Sequence, residues 1–256
     1  MYKLSLASRK GGTGKTAVAV NLAAGLAERG VRVLLVDLDS QANASAWLGA
    51  TETRGLAETF VDGKNLADAV VETRFGVDLI PSSGLWLAKA EKLLAGEPGA
   101  ELIFRKAVEK LPERWDYLIF DTPPSAGLAT VSALVASDEV IVPVESSAVS
   151  LRGISGLMQV LRPIRERLNP SLRVRVLMAR LDRTKLGAEI VDTLAAKFGD
   201  RFLSARIRDR VCVREAWGHA EPVTVYDPDG DASADYRALC GAVQALQEGN
   251  ALHASS

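Results

Sequence analysis

With 256 residues, 48% of them apolar, and a net charge of −1, the chain can bury one sizeable core, and its length fits one large α/β domain over residues 1–250 better than two. No stretch approaches the roughly 20 apolar residues that span a bilayer, and the N-terminus runs straight into a strand without a signal peptide, so a cytoplasmic protein with no membrane partner is expected. Two cysteines, Cys212 and Cys240, are too few and too far apart for a metal knuckle and read as buried small hydrophobes.

Taken in chain order, Tyr2 to Ala7 alternates like a strand and Ala17 to Glu28 is rich in helix formers, with a glycine-rich run between them. That run is Lys10-Gly11-Gly12-Thr13-Gly14-Lys15-Thr16, and it reads as a cradle for nucleotide phosphates, closed by Ala17 in the first helical turn. Glycines let the backbone N–H groups approach phosphate closely, and the following helix turns its positive end to the same place. Lys15 would neutralise the β- and γ-phosphates, and the Thr16 hydroxyl would ligate Mg²⁺, a hard ion that prefers oxygen. The usual pattern places glycine at position 9, where this chain has Arg9, and adds a second lysine, Lys10. Lys10 is either a solvated side chain or a cation with a job beyond the nucleotide that Lys15 already serves.

Apolar runs at Val31 to Asp37, Val77 to Pro81, Tyr117 to Asp121, Glu139 to Val144 and Arg173 to Met178 read as strands. Helical periodicity fills the intervals at Leu85 to Ala95, Leu102 to Leu111, Ala126 to Ala136, Leu151 to Leu168 and Leu186 to Phe198. The alternation predicts a doubly wound, mostly parallel sheet with helices on both faces and ligands at the carboxyl ends of the strands. Thr51 to Arg74 is the least regular part and reads as a surface excursion, and Ala251 to Ser256 as a frayed tail.

Two further segments end strands in acids. Asp37 and Asp39 share an orientation by alternation, toward a magnesium ion and an attacking water, unless they merely cap a strand end in solvent. Asp121 closes a third strand before Thr122-Pro123-Pro124, a turn that two prolines stiffen. It would hold Mg²⁺ through a water, and the loop from Thr122 to Leu128 would sense the γ-phosphate.

The lysine-flanked loop, the Val36-Asp37-Leu38-Asp39-Ser40-Gln41 run and the Asp121-Thr122-Pro123-Pro124 turn, in this order, resemble the ParA/MinD family of deviant Walker A ATPases. The likeness continues through Ser137 to Val144, Leu151-Arg152-Gly153, Arg183 to Gly187, Val211 to Ala216, and Pro222 with Tyr226-Asp227-Pro228. It implies an ATP- and Mg²⁺-dependent homodimer in which Lys10 reaches the partner's nucleotide. Asp39 would activate the water, Asp37 would support the metal site, and adenine contacts would come from Arg180 to Asp182 and Arg208 to Val211. Ser40 stands where the family has proline, which predicts a less rigid turn.

Within that family the chain is most similar to the short partition type. The first strand begins at Tyr2 with no helix-turn-helix before it, Asp235 to Glu248 lacks a basic amphipathic face, and neither cysteine neighbours the switch loops. Charge is unevenly spread: −4 over residues 1–149, +8 over 150–215 and −5 over 216–256. The basic segment suits non-specific double-stranded DNA and a nucleoid-associated protein, with Arg206, Arg208, Arg210 and Arg214 as first candidates. Arg152, Arg162, Arg165, Arg167, Arg173, Arg175 and Arg201 would widen the patch, and a plain solvated surface is the alternative. The resemblance further implies a ParB-like or other adaptor that triggers hydrolysis. A nucleotide switch that never touches DNA, and a metabolic or assembly enzyme on the same fold, are the competing functions.

Overall fold

The computed structural model describes residues 1–147 and 150–254, and the side chains of all of these except 150–153 and 250–254. Eight strands form one sheet: β1 (Tyr2–Leu6), β2 (Val33–Asp37), β3 (Val71–Glu72), β4 (Val77–Ile80), β5 (Tyr117–Asp121), β6 (Glu139–Val144), β7 (Arg173–Leu181) and β8 (Phe202–Arg208). Their order across the sheet is β3-β4-β2-β5-β1-β6-β7-β8, parallel throughout except for the β3–β4 pair. The first strand of the chain is thus flanked by β5 on one side and β6 on the other. A switch point of this kind opens a crevice at the carboxyl end of a doubly wound sheet.

Eleven α-helices are assigned among the described residues: α1 (Lys15–Ala27), α2 (Asn43–Trp47), α3 (Gly55–Asp62), α4 (Leu85–Leu93), α5 (Ile103–Glu109), α6 (Leu128–Ala136), α7 (Ser150–Arg167), α8 (Lys185–Phe198), α9 (Val211–Gly218), α10 (Val223–Tyr226) and α11 (Asp231–Ala254). Strand alternation splits the core between the two faces. Leu35, Ile119 and Leu177 pack toward α1 and α11, whereas Leu34, Val36, Leu118 and Phe120 pack toward α3 to α6. Beyond β1, Val140, Val142 and Val176 pack on α7 and α8. Helix α1 is buried nearly all round, which explains a sequence with no polar face. Gly25 lets α11 approach it: a Cβ there would lie 2.7 Å from the Cys240 sulfur.

Two expectations change, and one strand appears that the sequence did not indicate. Thr51 to Arg74 is not an excursion: α3 buries Leu56, Ala57, Thr59 and Phe60, and β3 adds an antiparallel edge. The basic run Phe202 to Arg208 is an edge strand whose alternate residues Leu203, Ala205 and Ile207 enter the core, so its arginines are spaced by the β period. Cys240 is buried as expected, but Cys212 is only half-buried. Helix α11 continues to Ala254; the side chains of 250–254 and all of residues 255–256, on which the expected fraying falls, lie outside the described residues, as do the side chains of Leu151, Arg152 and Gly153.

Candidate functional site: a phosphate cradle with three buried acids

β1 ends at Leu6 and α1 begins at Lys15, so the glycine run forms the loop between them. Gly12 and Gly14 take the left-handed conformation (φ 77° and 88°) that a β-carbon disfavours, and Gly14 is the cap of α1. Lys15 is buried in the first turn, and burial lowers its pKa against the opposing pull of Asp121 and Asp39. Arg9, in the place of the usual glycine, points away and donates to the Gly156 carbonyl on α7.

The acids arrive on neighbouring strands. β2 pairs with β5 in a register that sets Asp37 opposite Asp121, and β5 pairs with β1 so that Asp121 faces Leu6. Thr122 locks that end by donating to the Leu6 carbonyl at 2.7 Å. Asp37 is fully buried and satisfied: Ser45 donates through its amide (2.8 Å) and hydroxyl (2.7 Å), and the Asp39 amide donates at 3.1 Å. Burial still pushes its carboxyl up to about 6. Asp39, also buried, accepts from the Gln41 amide at 3.0 Å. That bond and Ala42 N–H to the Asp39 carbonyl (2.9 Å) hold the turn that Ser40 was expected to loosen.

Asp121 differs from both. It is wholly buried, and neither carboxylate oxygen has a hydrogen-bond partner among the described residues. Burial and the charge of Asp37 raise its pKa well above the carboxylate range, opposed by the Thr16 hydroxyl, which lies nearby without a hydrogen bond of good geometry, and by the charge of Lys15. A buried, orphaned carboxylate is costly unless a cation joins it. No group of three or more His, Cys, Asp or Glu side chains stands at metal-binding geometry among the described residues. Mg²⁺ at phosphates characteristically takes one or two protein ligands and keeps its waters, so Thr16 and Asp121 fit the ion, with Asp37 braced behind them.

A cavity of about 510 Å³ opens beside α1. Ala17, Val18 and Ile207 floor it, Trp47 and Trp217 line its sides, and Arg180, Arg208, Arg210 and Arg214 stand around it. Trp217 is half-exposed, offering a flat apolar face. Arg180 carries a positive φ of 56° and donates to the Gly12 carbonyl at 2.8 Å and to Asp209 at 3.2 Å, tying the cradle to this cavity. Arg180, Arg208 and Arg210 of the segments expected to contact adenine do stand at this cavity, whereas Trp217 had no signal in the sequence. Lys10, half-exposed, pairs with Glu145 of its own chain, an acid that motif reading passes over.

The four arginines expected to bind DNA are not one free cationic face. Arg206 lies over the Phe202 ring at 4.0 Å and donates to the carbonyls of Leu203 and Ala205. Arg208 forms paired bonds to Asp235 (2.8 and 2.7 Å), and Arg210 bonds Asp231 at 2.9 Å. Arg214 is the exposed member, 3.6 Å from Asp209. The acidic C-terminal segment folds against the basic one, so charge separated along the chain is partly neutralised in space. Arg175 is likewise spent on Glu139, whereas Arg162, Arg165, Arg167, Arg183 and Arg201 remain exposed.

A strand-to-helix glycine loop with a buried lysine, set against acid-tipped neighbouring strands at a switch point, defines a P-loop nucleotide-binding protein. The family described as an AAA domain matches residues 1–174. The sporulation initiation inhibitor protein Soj of Bacillus subtilis is 36% identical over 248 residues, 94% of this chain and 98% of its own. The chromosome partitioning protein ParA of Caulobacter vibrioides is 35% identical over 232 residues, 88% of this chain and 86% of its own. A crystal structure described as cobyrinic acid a,c-diamide synthase from Mycobacterium smegmatis, with bound ADP and magnesium, superposes with a TM-score of 0.84 at 26% identity over 98% of this chain and 97% of that one. This chain belongs to the Soj/ParA family of P-loop ATPases.

Proposed function

We propose that this protein is a Mg²⁺-dependent ATPase of the partition or positioning type, which closes as a homodimer on ATP and binds double-stranded DNA without reading its sequence. An adaptor protein would then trigger hydrolysis and release. The observation that carries this reading is the pairing of a complete phosphate cradle with the extra lysine, Lys10, in a chain related to Soj and ParA.

Adenine would enter the cavity between α1 and Trp217, and the phosphates would lie over the amides of Gly11 to Ala17 with Lys15 against their charge. Thr16 and Asp121 would hold Mg²⁺, which screens phosphate charge when bound. Asp39 is buried at the lip of the cradle, fixed by Gln41, where it can accept a proton from the water that attacks the γ-phosphate. The attack forms the water–phosphorus bond as the bond to ADP breaks. Lys10 would stabilise the leaving charge on the partner's nucleotide.

Retention on DNA measured with ATP, ADP and no nucleotide tests the reading: retention with ATP alone supports it. The ion-paired state of Arg208 and Arg210 favours one rival, a nucleotide switch acting only on a partner protein. ATP-dependent dimers that ignore DNA would establish that rival. ATP turnover that demands an acid and an amine as co-substrates would instead establish a synthetase.

A further inference from the structure

We infer that Glu145 is a positioning residue that stores Lys10 within its own subunit and so sets how readily ATP closes the dimer. The inference rests on the dimer reading above. β6 lies beside β1 with Leu6 opposite Ile141, so the residue just past the end of β6 flanks the phosphate loop. Glu145 occupies that place and pairs with the Lys10 ammonium. Two more groups converge on it: the Ser147 hydroxyl donates at 3.0 Å, and the Arg180 guanidinium lies 3.8 Å from the second oxygen. Burial would raise the Glu145 carboxyl, but Lys10, Ser147 and Arg180 together hold it below the ordinary value, so it is charged at neutral pH.

A lysine held this way faces its own loop and is unavailable to a second subunit. Reaching the partner's nucleotide requires Lys10 to leave Glu145, and Arg180 and Ser147 stay behind, so the carboxylate is not stranded when it does. The stored state therefore acts as a threshold that competes with dimerisation and is crossed without a large penalty. When only a fraction of the subunits is competent, apparent affinity falls by that fraction. A half-exposed pair of this kind shifts the population by about threefold. A symmetric dimer must release two lysines, so the effect is about tenfold on the dimer dissociation constant.

The test uses the full chain with a non-hydrolysable ATP analogue, and compares wild type with Glu145→Gln and Glu145→Asp. In nucleotide-free protein, acylation of the Lys10 amine, read by mass spectrometry, should speed up about threefold in Glu145→Gln. With the analogue, sedimentation velocity should show the dimer dissociation constant of Glu145→Gln lowered about tenfold. Glu145→Asp, which keeps the charge, should return both readouts toward wild type. Unchanged or weakened dimerisation in a folded Glu145→Gln protein overturns the inference while leaving the dimer reading in place. A wild-type chain that stays monomeric with the analogue overturns the dimer reading, and this inference with it.

Discussion

Lys10 and Lys15 stand five residues apart and have opposite surroundings: one is half-exposed beside Glu145, the other buried among Asp39 and Asp121. Lys15→Ala should therefore weaken nucleotide binding by at least about 10–100-fold, the loss of one charge-assisted bond, in a fluorescent-nucleotide titration. Lys10→Ala should leave that titration nearly unchanged and abolish ATP-dependent dimerisation; normal dimers would remove its cross-subunit role. Asp39→Ala should slow ATP hydrolysis by about 10²–10⁴-fold and leave the ATP dimer on DNA, and brisk turnover by that variant would strike Asp39 from the mechanism. The phosphate cradle was legible in the sequence because its residues are contiguous and their spacing alone carries the geometry. The strand-end acids were legible for the same reason, each lying at the end of an apolar run. Glu145 was not, since it acquires its partners from loops far away in sequence, and Arg180 was legible only as part of an adenine-contacting segment, not as the link to the Gly12 carbonyl.

The central strands and their helices were readable from apolar runs and periodicity, whereas both edges of the sheet were not. β3 is two residues long, and β8 alternates arginine with small or aliphatic residues, so its charge obscured its period. The pairing of β8 with α11 is what the charge count along the chain could not show. Asp235→Ala should strand the half-buried Arg208 and destabilise the fold by about 1–2 kcal/mol, read by urea unfolding; no change would mean that Asp231 alone suffices. The packing of α1 against α11 is set by space, not charge. Gly25→Ala should cost about 1–3 kcal/mol by forcing its new methyl against Cys240. Adding Cys240→Ala should recover part of that loss, and an equal loss in the double variant would place the strain elsewhere.

Across the whole molecule, the −1 net charge conceals a basic segment half-spent on internal pairs, which leaves Arg214 and the exposed arginines of α7 and its neighbouring loops to face solvent. If DNA binds there, Arg214→Glu should weaken ATP-dependent retention and lower the log–log salt slope by about 0.9 for each DNA phosphate that is no longer neutralised. An unchanged slope would place the DNA-binding surface elsewhere. At the opposite end of the sheet, Arg32 grips Asp116 through bonds of 3.0 and 2.6 Å and holds that carboxyl down at about 2, from an ordinary 3.8. The sign follows: this stability is full above about pH 4 and disappears as the pH falls toward 2. Both groups are exposed, so solvent screening keeps the contribution small. Wild type should accordingly outlast Arg32→Ala in urea at pH 6, with the gap closing between pH 4 and 2. The placement of β1 has a different consequence, for how the molecule comes into being. Tyr2 pairs with Tyr117 and Leu4 with Glu139, so β1 waits for more than a hundred further residues to be translated before either neighbour exists. Until then β1 and the glycine loop after it have neither of these neighbours to join, and such long-range parallel pairing folds slowly and exposes aggregation-prone edges. The glycine loop is translated well before the strands that complete its site, so the nucleotide site is among the later features to be built.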